Sequence, residues 1–284
     1  MKGIVLAGGH GSRLYPLTNI TSKQLLPVYN KPLIFYPMST LMLAGVEEFL
    51  VIVNKEHLND FKNLLKDGSQ LGITIEYLVQ EKPNGIAEAL IIGESFIGKD
   101  DVYLILGDNI FFGAELQNHF ESIEKHRNFA HIFGSYVKSP SEFGVVSKDN
   151  ERLIIEEKPK EPKSNIAVTG LYYYPNKALA YLDQLSPSAR GELEITDFNN
   201  ILIQKEIMQL IELGRGYAWF DGGSPSSLLE ASSFIRTIEQ SQGLKIGCLE
   251  EIARIRNFIS KADLENLIRQ LPNSEYKDYL SNID

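Results

Sequence analysis

Short apolar runs alternate with helical segments through about the first 110 residues of this chain. The runs "GIVLA", "EEFLVIV", "ITIEYLVQ" and "DVYLILGDN" have the length and composition of strands buried in a sheet. The segments between them, such as "KEHLNDFKNLLKDG", carry apolar residues at helical spacing. The alternation predicts an α/β fold with a Rossmann-like, mostly parallel mixed sheet flanked by helices. Such sheets bind ligands beyond the carboxyl ends of their strands.

The rest of the chain changes pattern twice. The strand-like segments "AHIFGSYV", "FGVVSKD", "LIIEEKP" and "AVTGLYYY" come first, and helical patterns return at "ITDFNNILIQKE" and "SLLEASSFIRTIEQ". We predict one large domain over residues 1–240 and a small helical C-terminal segment over residues 241–284 packed on it. Within that segment Ser260 stands three residues before Asp263, a spacing typical of a capping box at the start of a helix.

Charge and cysteine content narrow the possible functions. The formal net charge of −9 disfavours binding to duplex nucleic acid, although a local basic cluster can still bind a small anion. The single cysteine, Cys248, excludes an intramolecular disulfide and a cysteine-based metal site. No apolar run approaches the ~18 residues of a membrane span. We therefore expect a soluble, cytoplasmic protein with neither a nucleic-acid nor a membrane partner.

The opening loop "LAGGHGSRLYPLT" follows the first predicted strand. It is not a Walker A loop, since Arg13 stands where the second glycine is needed, and it is not a dinucleotide fingerprint, since Leu14 follows Gly9 and Gly11 at the third glycine position. Glycines still let backbone N–H groups approach a phosphate, and Arg13 and Lys23 supply positive charge. From the glycines alone, a tight turn with solvated basic residues is an equal alternative.

The loop and the "SKQLLPV" that follows it resemble the L-A-G-G-x-G-[ST]-R-L…K-x-[LM]-[LVM]-P-[VI] signature of sugar-1-phosphate nucleotidyltransferases. Other segments, among them "LGDNIFFG", "EEKPKEPKSNIAVTGLYYY", "SARGELEITD" and "GRGYAWFD", resemble the glucose-1-phosphate thymidylyltransferase branch, and the resemblance covers nearly the whole chain. It implies that dTTP and α-D-glucose 1-phosphate form dTDP-glucose and pyrophosphate, the first step toward dTDP-sugars such as dTDP-rhamnose. It also implies a homotetramer, with the C-terminal segment near an interface or a second nucleotide-sugar site.

The resemblance implies a nucleotide-binding set. Its members are Leu6, Gly8, Gly9, Gly11, Ser12, Arg13, Lys23, Gln80, Gly85 and Asp108. Within this set, Arg13 and Lys23 match the catalytic cations that hold the departing pyrophosphate. Gln80 and Gly85 match the positions that read the base, and an amide suits a pyrimidine because it both donates and accepts. From the residue alone, a polar residue that ends a strand is the alternative interpretation of Gln80.

A sugar-phosphate set and a metal pair are implied in the same way. The sugar-phosphate set consists of Asn109, Gly144, Glu157, Lys158 and Val168. Lys158, the third catalytic cation, would bridge the sugar phosphate and the α-phosphate, although "EEKPKEPK" by itself is typical of a solvated charged loop. Asp108 and Asp221 match two magnesium ligands, and each could instead cap the turn beside its glycine.

The sequence departs from the branch at two places. After "WFD" the branch commonly reads T-G-T-H-D-S, whereas this chain reads "GGSPSS" from Gly222 onward. Asn84 and Glu88 stand where the branch often has Asp and Gln. These changes bear on metal affinity and on substrate preference.

Three alternatives to the thymidylyltransferase interpretation stay open at this stage. They are a UDP-glucose-forming or dual-specificity uridylyltransferase, a noncatalytic scaffold with the same fold, and a nicotinamide-binding oxidoreductase. Trp219 is expected to be a core residue, and His10 is expected to lie in the loop near phosphates, at a position that many residue types would suit.

Overall fold

A mixed sheet of nine strands forms the centre of the computed structural model, which describes residues 1–9, 11–150 and 152–283. The strands of the molecule are β1 (Lys2–Ala7), β2 (Pro27–Val28), β3 (Lys31–Pro32), β4 (Glu48–Val53), β5 (Thr74–Val79), β6 (Val102–Leu106), β7 (Asn109–Phe112), β8 (Ala130–Tyr136), β9 (Gly144–Asp149), β10 (Arg152–Glu157), β11 (Ile166–Tyr174), β12 (Met208–Leu213) and β13 (Ala218–Asp221). The α-helices are α1 (Phe35–Leu43), α2 (Leu58–Leu65), α3 (Glu88–Ile92), α4 (Glu94–Ile97), α5 (Leu116–Lys125), α6 (Asn176–Leu179), α7 (Ile195–Gln204), α8 (Pro225–Gln242), α9 (Leu249–Ile255), α10 (Lys261–Gln270) and α11 (Glu275–Ser281).

The sheet has a parallel half and an antiparallel half. Strands β5, β4, β1 and β6 pair in parallel, as the alternation in the first part of the sequence predicts. Strand β11 then pairs antiparallel with β6, β8 and β9, β10 forms an antiparallel hairpin with β9, and β12 adds to β8 in parallel. The expected mixed sheet flanked by helices is confirmed, and its antiparallel pairs come from the strand-like segments in the middle of the sequence.

Both faces of the parallel half are buried, which explains the continuous apolar runs of its strands. Successive residues of β1 point to opposite sides, so Val5 belongs to the core beneath α1, α2 and α5, while Ile4 belongs to the core beneath α3 and α7. No described helix is long and apolar enough to cross a membrane.

The C-terminal helices pack on the rest of the chain. Leu249 and Ile252 of α9 join the same apolar core as Met38 of α1. The capping box predicted at the start of α10 is present: the hydroxyl of Ser260 accepts a hydrogen bond from the backbone N–H of Asp263 at 3.2 Å, and its own N–H donates to that aspartate at 3.0 Å. Because α9 contributes buried side chains, this segment is part of the folding unit in this structure.

Candidate active site

A cavity of about 650 Å³ opens beside the carboxyl ends of β6 and β10. Nine of the residues singled out from the sequence line it: Ser12, Arg13, Asp108, Asn109, Gly144, Glu157, Lys158, Val168 and Asp221. They are spread between residues 12 and 221 of the chain, yet the sheet brings them to one side. This convergence identifies the cavity as the candidate active site.

The other predicted site residues are not among those that line the cavity. They are Leu6, Gly8, Gly9, Gly11, Lys23, Gln80 and Gly85. Lys23 reaches the cavity through an ion pair with Asp108. Gln80 lies against the glycine loop, since a Cβ added at Gly8 would be 2.6 Å from Gln80 Oε1. His10 lies outside the residues that the structure describes.

The glycine loop turns sharply from β1 into a single 3-10 turn at Ser12–Leu14. Gly11 has φ +61°, a conformation that favours glycine, and a Cβ there would be 2.8 Å from Thr18 Cγ2. The turn presents Arg13, which is exposed, toward the segment that follows β13: a Cβ added at Gly223 would be 2.6 Å from an Arg13 guanidinium nitrogen. The loop thus sets a cation at the edge of the cavity.

Asp108 is held as a carboxylate. Lys23, which is buried, forms a hydrogen-bonded ion pair with it, and Asn109 Nδ2 donates to Asp108 Oδ1 at 2.8 Å. Burial by itself would raise the pKa of Asp108, but the Lys23 charge and the hydrogen bonds from Lys23 and Asn109 together hold that pKa below its usual value.

Asp221 reaches the same place through a two-stranded ribbon, in which β13 pairs antiparallel with β7 and Asp221 stands opposite Asn109. Burial raises the pKa of Asp221, and the negative charge of Asp108 raises it further, against the opposing charges of Lys23 and Arg13. The ribbon therefore brings two carboxylates close enough to disfavour each other's charge.

The donor set of this carboxylate pair fits Mg²⁺ bound jointly with substrate. Magnesium is commonly held by one or two protein carboxylates plus phosphate oxygens. Across residues 1–9, 11–150 and 152–283, no group of three or more His, Cys, Asp or Glu side chains forms an all-protein cage. The mutual destabilisation of Asp108 and Asp221 is the electrostatic condition that a divalent cation relieves.

Asn109 is fixed on the floor of the cavity. Its Oδ1 accepts hydrogen bonds from Trp219 Nε1 at 2.6 Å and from the backbone N–H of Gly170 at 2.9 Å. A Cβ at Gly170 would be 2.7 Å from the Asn109 side chain, so glycine permits this approach. Trp219 packs against the core, as expected from the sequence, and it also lines the cavity, where it orients Asn109.

The sugar-phosphate set includes an organised carboxylate. Glu157 Oε2 accepts a hydrogen bond from Thr196 Oγ1 at 2.6 Å, and Glu157 Oε1 lies 3.7 Å from Lys158 Nζ and 3.9 Å from an Arg190 guanidinium nitrogen. Arg190 is itself held by Glu194 at 2.9 Å. Sequence reasoning missed Thr196 and Arg190, although both lie in the family-like segment "SARGELEITD".

Gln80, at the end of β5, is bound to one of the residues that depart from the branch. Gln80 Nε2 donates to Glu88 Oε2 at 2.6 Å, and Asn84 Nδ2 donates to Glu88 Oε1 at 2.7 Å. Gly85, between them in sequence, has φ +110°, and a Cβ there would overlap the backbone of Leu193. This glycine is therefore needed for the turn and for its packing.

The departures after Asp221 have local structural roles. The backbone N–H of Gly222 donates to the Asp108 carbonyl at 2.8 Å. Ser224 accepts a hydrogen bond from the N–H of Ser227 at 3.1 Å, and Ser227 Oγ accepts from the N–H of Ser224 at 3.1 Å, which completes a capping box at the start of α8. This segment thus starts α8 directly after the metal-binding candidate.

Comparisons with known proteins agree with this geometry. A family model described as "Nucleotidyl transferase" matches residues 2–238. The chain is 51% identical to the glucose-1-phosphate thymidylyltransferase of Neisseria meningitidis, over 99% of this chain and 98% of that protein. It is 45% identical to the enzyme of the same name from Mycobacterium tuberculosis, over 99% and 98% of the two chains.

Solved structures give the same result. A Bacillus anthracis protein provisionally assigned as a glucose-1-phosphate thymidylyltransferase superposes with a TM-score of 0.77 at 42% identity, covering 83% of this chain and 95% of that one. A UDP-glucose pyrophosphorylase in complex with UDP-glucose gives a TM-score of 0.71 at 25% identity, covering 84% and 98%. The chain therefore belongs to the nucleotidyl transferase family, among the glucose-1-phosphate thymidylyltransferases.

Proposed function

We propose that this protein joins dTTP and α-D-glucose 1-phosphate to give dTDP-glucose and pyrophosphate. The observation that carries the proposal is one cavity lined by two cations, Arg13 and Lys158, and by the carboxylates Asp108 and Asp221. A displacement at phosphorus between two anions needs such an arrangement, because positioning and charge neutralisation supply most of its catalysis. The names of the most similar relatives agree with it.

In this reaction a phosphate oxygen of glucose 1-phosphate attacks the α-phosphorus of dTTP. A new oxygen–phosphorus bond forms as the bond from the α-phosphorus to the bridging oxygen breaks, and pyrophosphate leaves with the electron pair. No protein nucleophile is required. Lys158 contacts both phosphates in this proposal, and the ammonium stabilises charge that increases on the α-phosphate oxygens in the transition state. Glu157, oriented by Thr196, accepts hydrogen bonds from sugar hydroxyls.

The leaving group is held by the cations near the glycine loop. Arg13 is exposed above Gly223 and can bind pyrophosphate oxygens bidentately. Lys23 donates one hydrogen bond to Asp108, and an ammonium has three N–H donors, so it can also reach a phosphate. The backbone N–H groups of the loop complete the cradle; the residues proposed for it are Leu6, Gly8, Gly9, Gly11 and Ser12.

Asp108 and Asp221 would hold Mg²⁺ together with phosphate oxygens of the nucleotide. When bound, the ion supplies positive charge that offsets the phosphates. Lys23 and Asn109 keep Asp108 ionised and fix its orientation. Gln80 and Gly85 are proposed to read the base, and the sugar is proposed to lie against Asn109, Gly144, Glu157 and Val168.

The proposal extends to assembly and location. The resemblance suggests a homotetramer, and we propose Ile255 on α9, Leu244 after α8 and Leu229 on α8, which are 61%, 55% and 69% exposed, as candidates for its contact surface. The family match ends at residue 238, which supports the proposed boundary near residue 240 between the catalytic domain and the segment packed on it. The proposed substrates are charged metabolites of the cytoplasm, and we assign the enzyme to that compartment.

The assembly can be tested without removing the C-terminal segment. Deletion from Ser241 would strip Leu249 and Ile252 from the core, so an assembly defect would be confounded with unfolding. Ile255→Glu changes an exposed side chain instead. We expect the variant to sediment as a smaller species than the wild-type protein. A species of unchanged size would show that the surface around Ile255 is not a contact between copies.

The activity is tested by pyrophosphate release from a panel of nucleoside triphosphates and sugar 1-phosphates with Mg²⁺. We expect dTTP with glucose 1-phosphate to give the highest kcat/KM. The uridylyltransferase alternative predicts that UTP is preferred or equal, and one methyl group in a pocket distinguishes the two bases by about 1 kcal/mol or little more. No release of pyrophosphate from any pair would refute the proposal.

A further inference from the structure

The carboxylate of Glu88 joins two amides at the end of β5. Glu88 is the first residue of α3, and each of its oxygens accepts from a different side chain: Oε2 from Gln80 at 2.6 Å and Oε1 from Asn84 at 2.7 Å. Gln80 is only 5% exposed, whereas Asn84 is at the surface. The three side chains form a short chain of hydrogen bonds from the surface to the site where the base is proposed to bind.

This arrangement fixes which end of the Gln80 amide faces the nucleotide loop. An ionised carboxylate only accepts hydrogen bonds, so Gln80 must turn its NH₂ group toward Glu88. Its oxygen then points the other way, and it lies against Gly8, where an added Cβ would be 2.6 Å from Oε1. Gln80 is thus presented to the glycine loop as an acceptor.

We infer that Glu88, held by Asn84, is a positioning residue that makes Gln80 an acceptor for the base and so selects pyrimidines that carry an N3–H donor. Thymine and uracil have that donor, whereas cytosine has an acceptor at N3. The inference rests on the proposed function in one respect, namely that the base lies at Gln80.

Donor and acceptor logic gives a specific pattern for variants. In Glu88→Gln the new amide can donate or accept, so Gln80 can present either end to the base. In Asn84→Asp a second carboxylate faces Glu88 across the present 2.7 Å contact, which drives the two apart. In the double variant Asn84→Asp/Glu88→Gln the new aspartate accepts from the new glutamine, whose oxygen is then turned toward Gln80. Asn84→Asp thus moves Glu88 away from Gln80, Glu88→Gln loses the direction of that hydrogen bond, and the double variant restores both the contact and its direction.

The test compares dTTP with dCTP in two ways. Calorimetry gives the ratio of Kd values, and pyrophosphate release gives kcat and KM for each nucleotide. We expect Glu88→Gln to lower the preference for dTTP over dCTP on the order of tenfold, the usual worth of a mismatched buried hydrogen bond. KM for dTTP should rise while kcat stays within about twofold, because the phosphates are held elsewhere. The double variant should recover most of the preference.

Glu121→Gln is the matched control. Glu121 accepts from Gln117 at 3.3 Å on the exposed face of α5 and does not line the cavity, so its substitution should leave the preference unchanged. If Glu88→Gln does not fold, Asn84→Asp, at an exposed residue, gives the same comparison. A preference within twofold of wild type in both single variants, or a double variant no better than the singles, overturns the inference. Wild-type protein that binds dTTP without turnover would refute the proposed function, while the Kd ratios still decide the role of Glu88.

Discussion

The variant Lys158→Ala tests whether Lys158 bridges the sugar phosphate and the α-phosphate, as proposed, or is only a solvated surface lysine. Lys158 follows β10 and its side chain is 50% exposed. Its backbone N–H donates to the Phe143 carbonyl at 3.0 Å, and its φ is +43°. Alanine keeps both the N–H and the Cβ, so the substitution removes the ammonium and the alkyl chain without a new demand on the backbone.

The expected effects on stability and on turnover differ widely. The ion pair of Lys158 with Glu157 at 3.7 Å is at the surface, and such pairs stabilise a fold by about 0–1 kcal/mol. Loss of one preorganised group that stabilises transition-state charge costs ~10²–10³ in kcat, or about 2.7–4 kcal/mol. We therefore expect a folded protein whose kcat falls by roughly two orders of magnitude and whose KM for dTTP changes little.

The assay is steady-state pyrophosphate release, with thermal unfolding measured on the same samples. Lys163→Ala is the matched control, because Lys163 is 64% exposed and pairs with Glu156 at 2.9 Å in the same loop without lining the cavity. Its kcat should equal that of the wild type. A kcat for Lys158→Ala within about threefold of wild type, under ~1 kcal/mol of transition-state stabilisation, would refute the bridging role.

Three further outcomes are expected. Asp221→Asn should raise the Mg²⁺ concentration needed for half-maximal activity; unchanged dependence would mean that the other carboxylate and the substrate suffice. Gly223→Ala should lower activity, since its Cβ would be 2.6 Å from the Arg13 guanidinium and 2.9 Å from Asp221, whereas Gly214→Ala, with open space around it, should not. Burial lowers the pKa of His131 to about 4, so the unfolded state binds more protons between pH ~6.5 and 4, and stability should fall by about 3 kcal/mol as pH drops through that window. Denaturant titrations of His131→Leu should lack this part of the pH dependence.

The sequence predicts the parallel half of the sheet well because its strands are long and apolar on both faces. It does not predict β2, β3 and β13, which have two to four residues each and no extended apolar run. Strand β13 forms by pairing with β7, more than 100 residues earlier in the chain, and a pattern read in a local window contains no information on such a partner.

The candidate site likewise has parts that the sequence predicts and parts that it does not. The glycine loop, "GDN" and "QEKPNG" follow predicted strands, so their location at one edge of the sheet follows from parallel topology. Asp221 comes close to Asp108 because β13 pairs with β7. The sequence indicates this pair of carboxylates only through its resemblance to the family. The sequence did not indicate the hydrogen bonds of Thr196 and Trp219, because their partners, Glu157 and Asn109, are 39 and 110 residues away in sequence.

The segment from Gly222 to Ser227 indicates how a site can keep its geometry while its side chains change. Gly222 contributes its backbone N–H to the Asp108 carbonyl, and a Cβ there would be 3.0 Å from that oxygen, a close contact that a larger residue could relieve by a shift of a few tenths of an ångström. Ser224 retains a hydroxyl but uses it to cap α8. In the proposed metal site, affinity would then depend on the two carboxylates and on the backbone that positions them, not on hydroxyls in the loop. For that reason Asp221→Asn should affect magnesium dependence more than Ser226→Ala, whose side chain stands in the exposed first turn of α8.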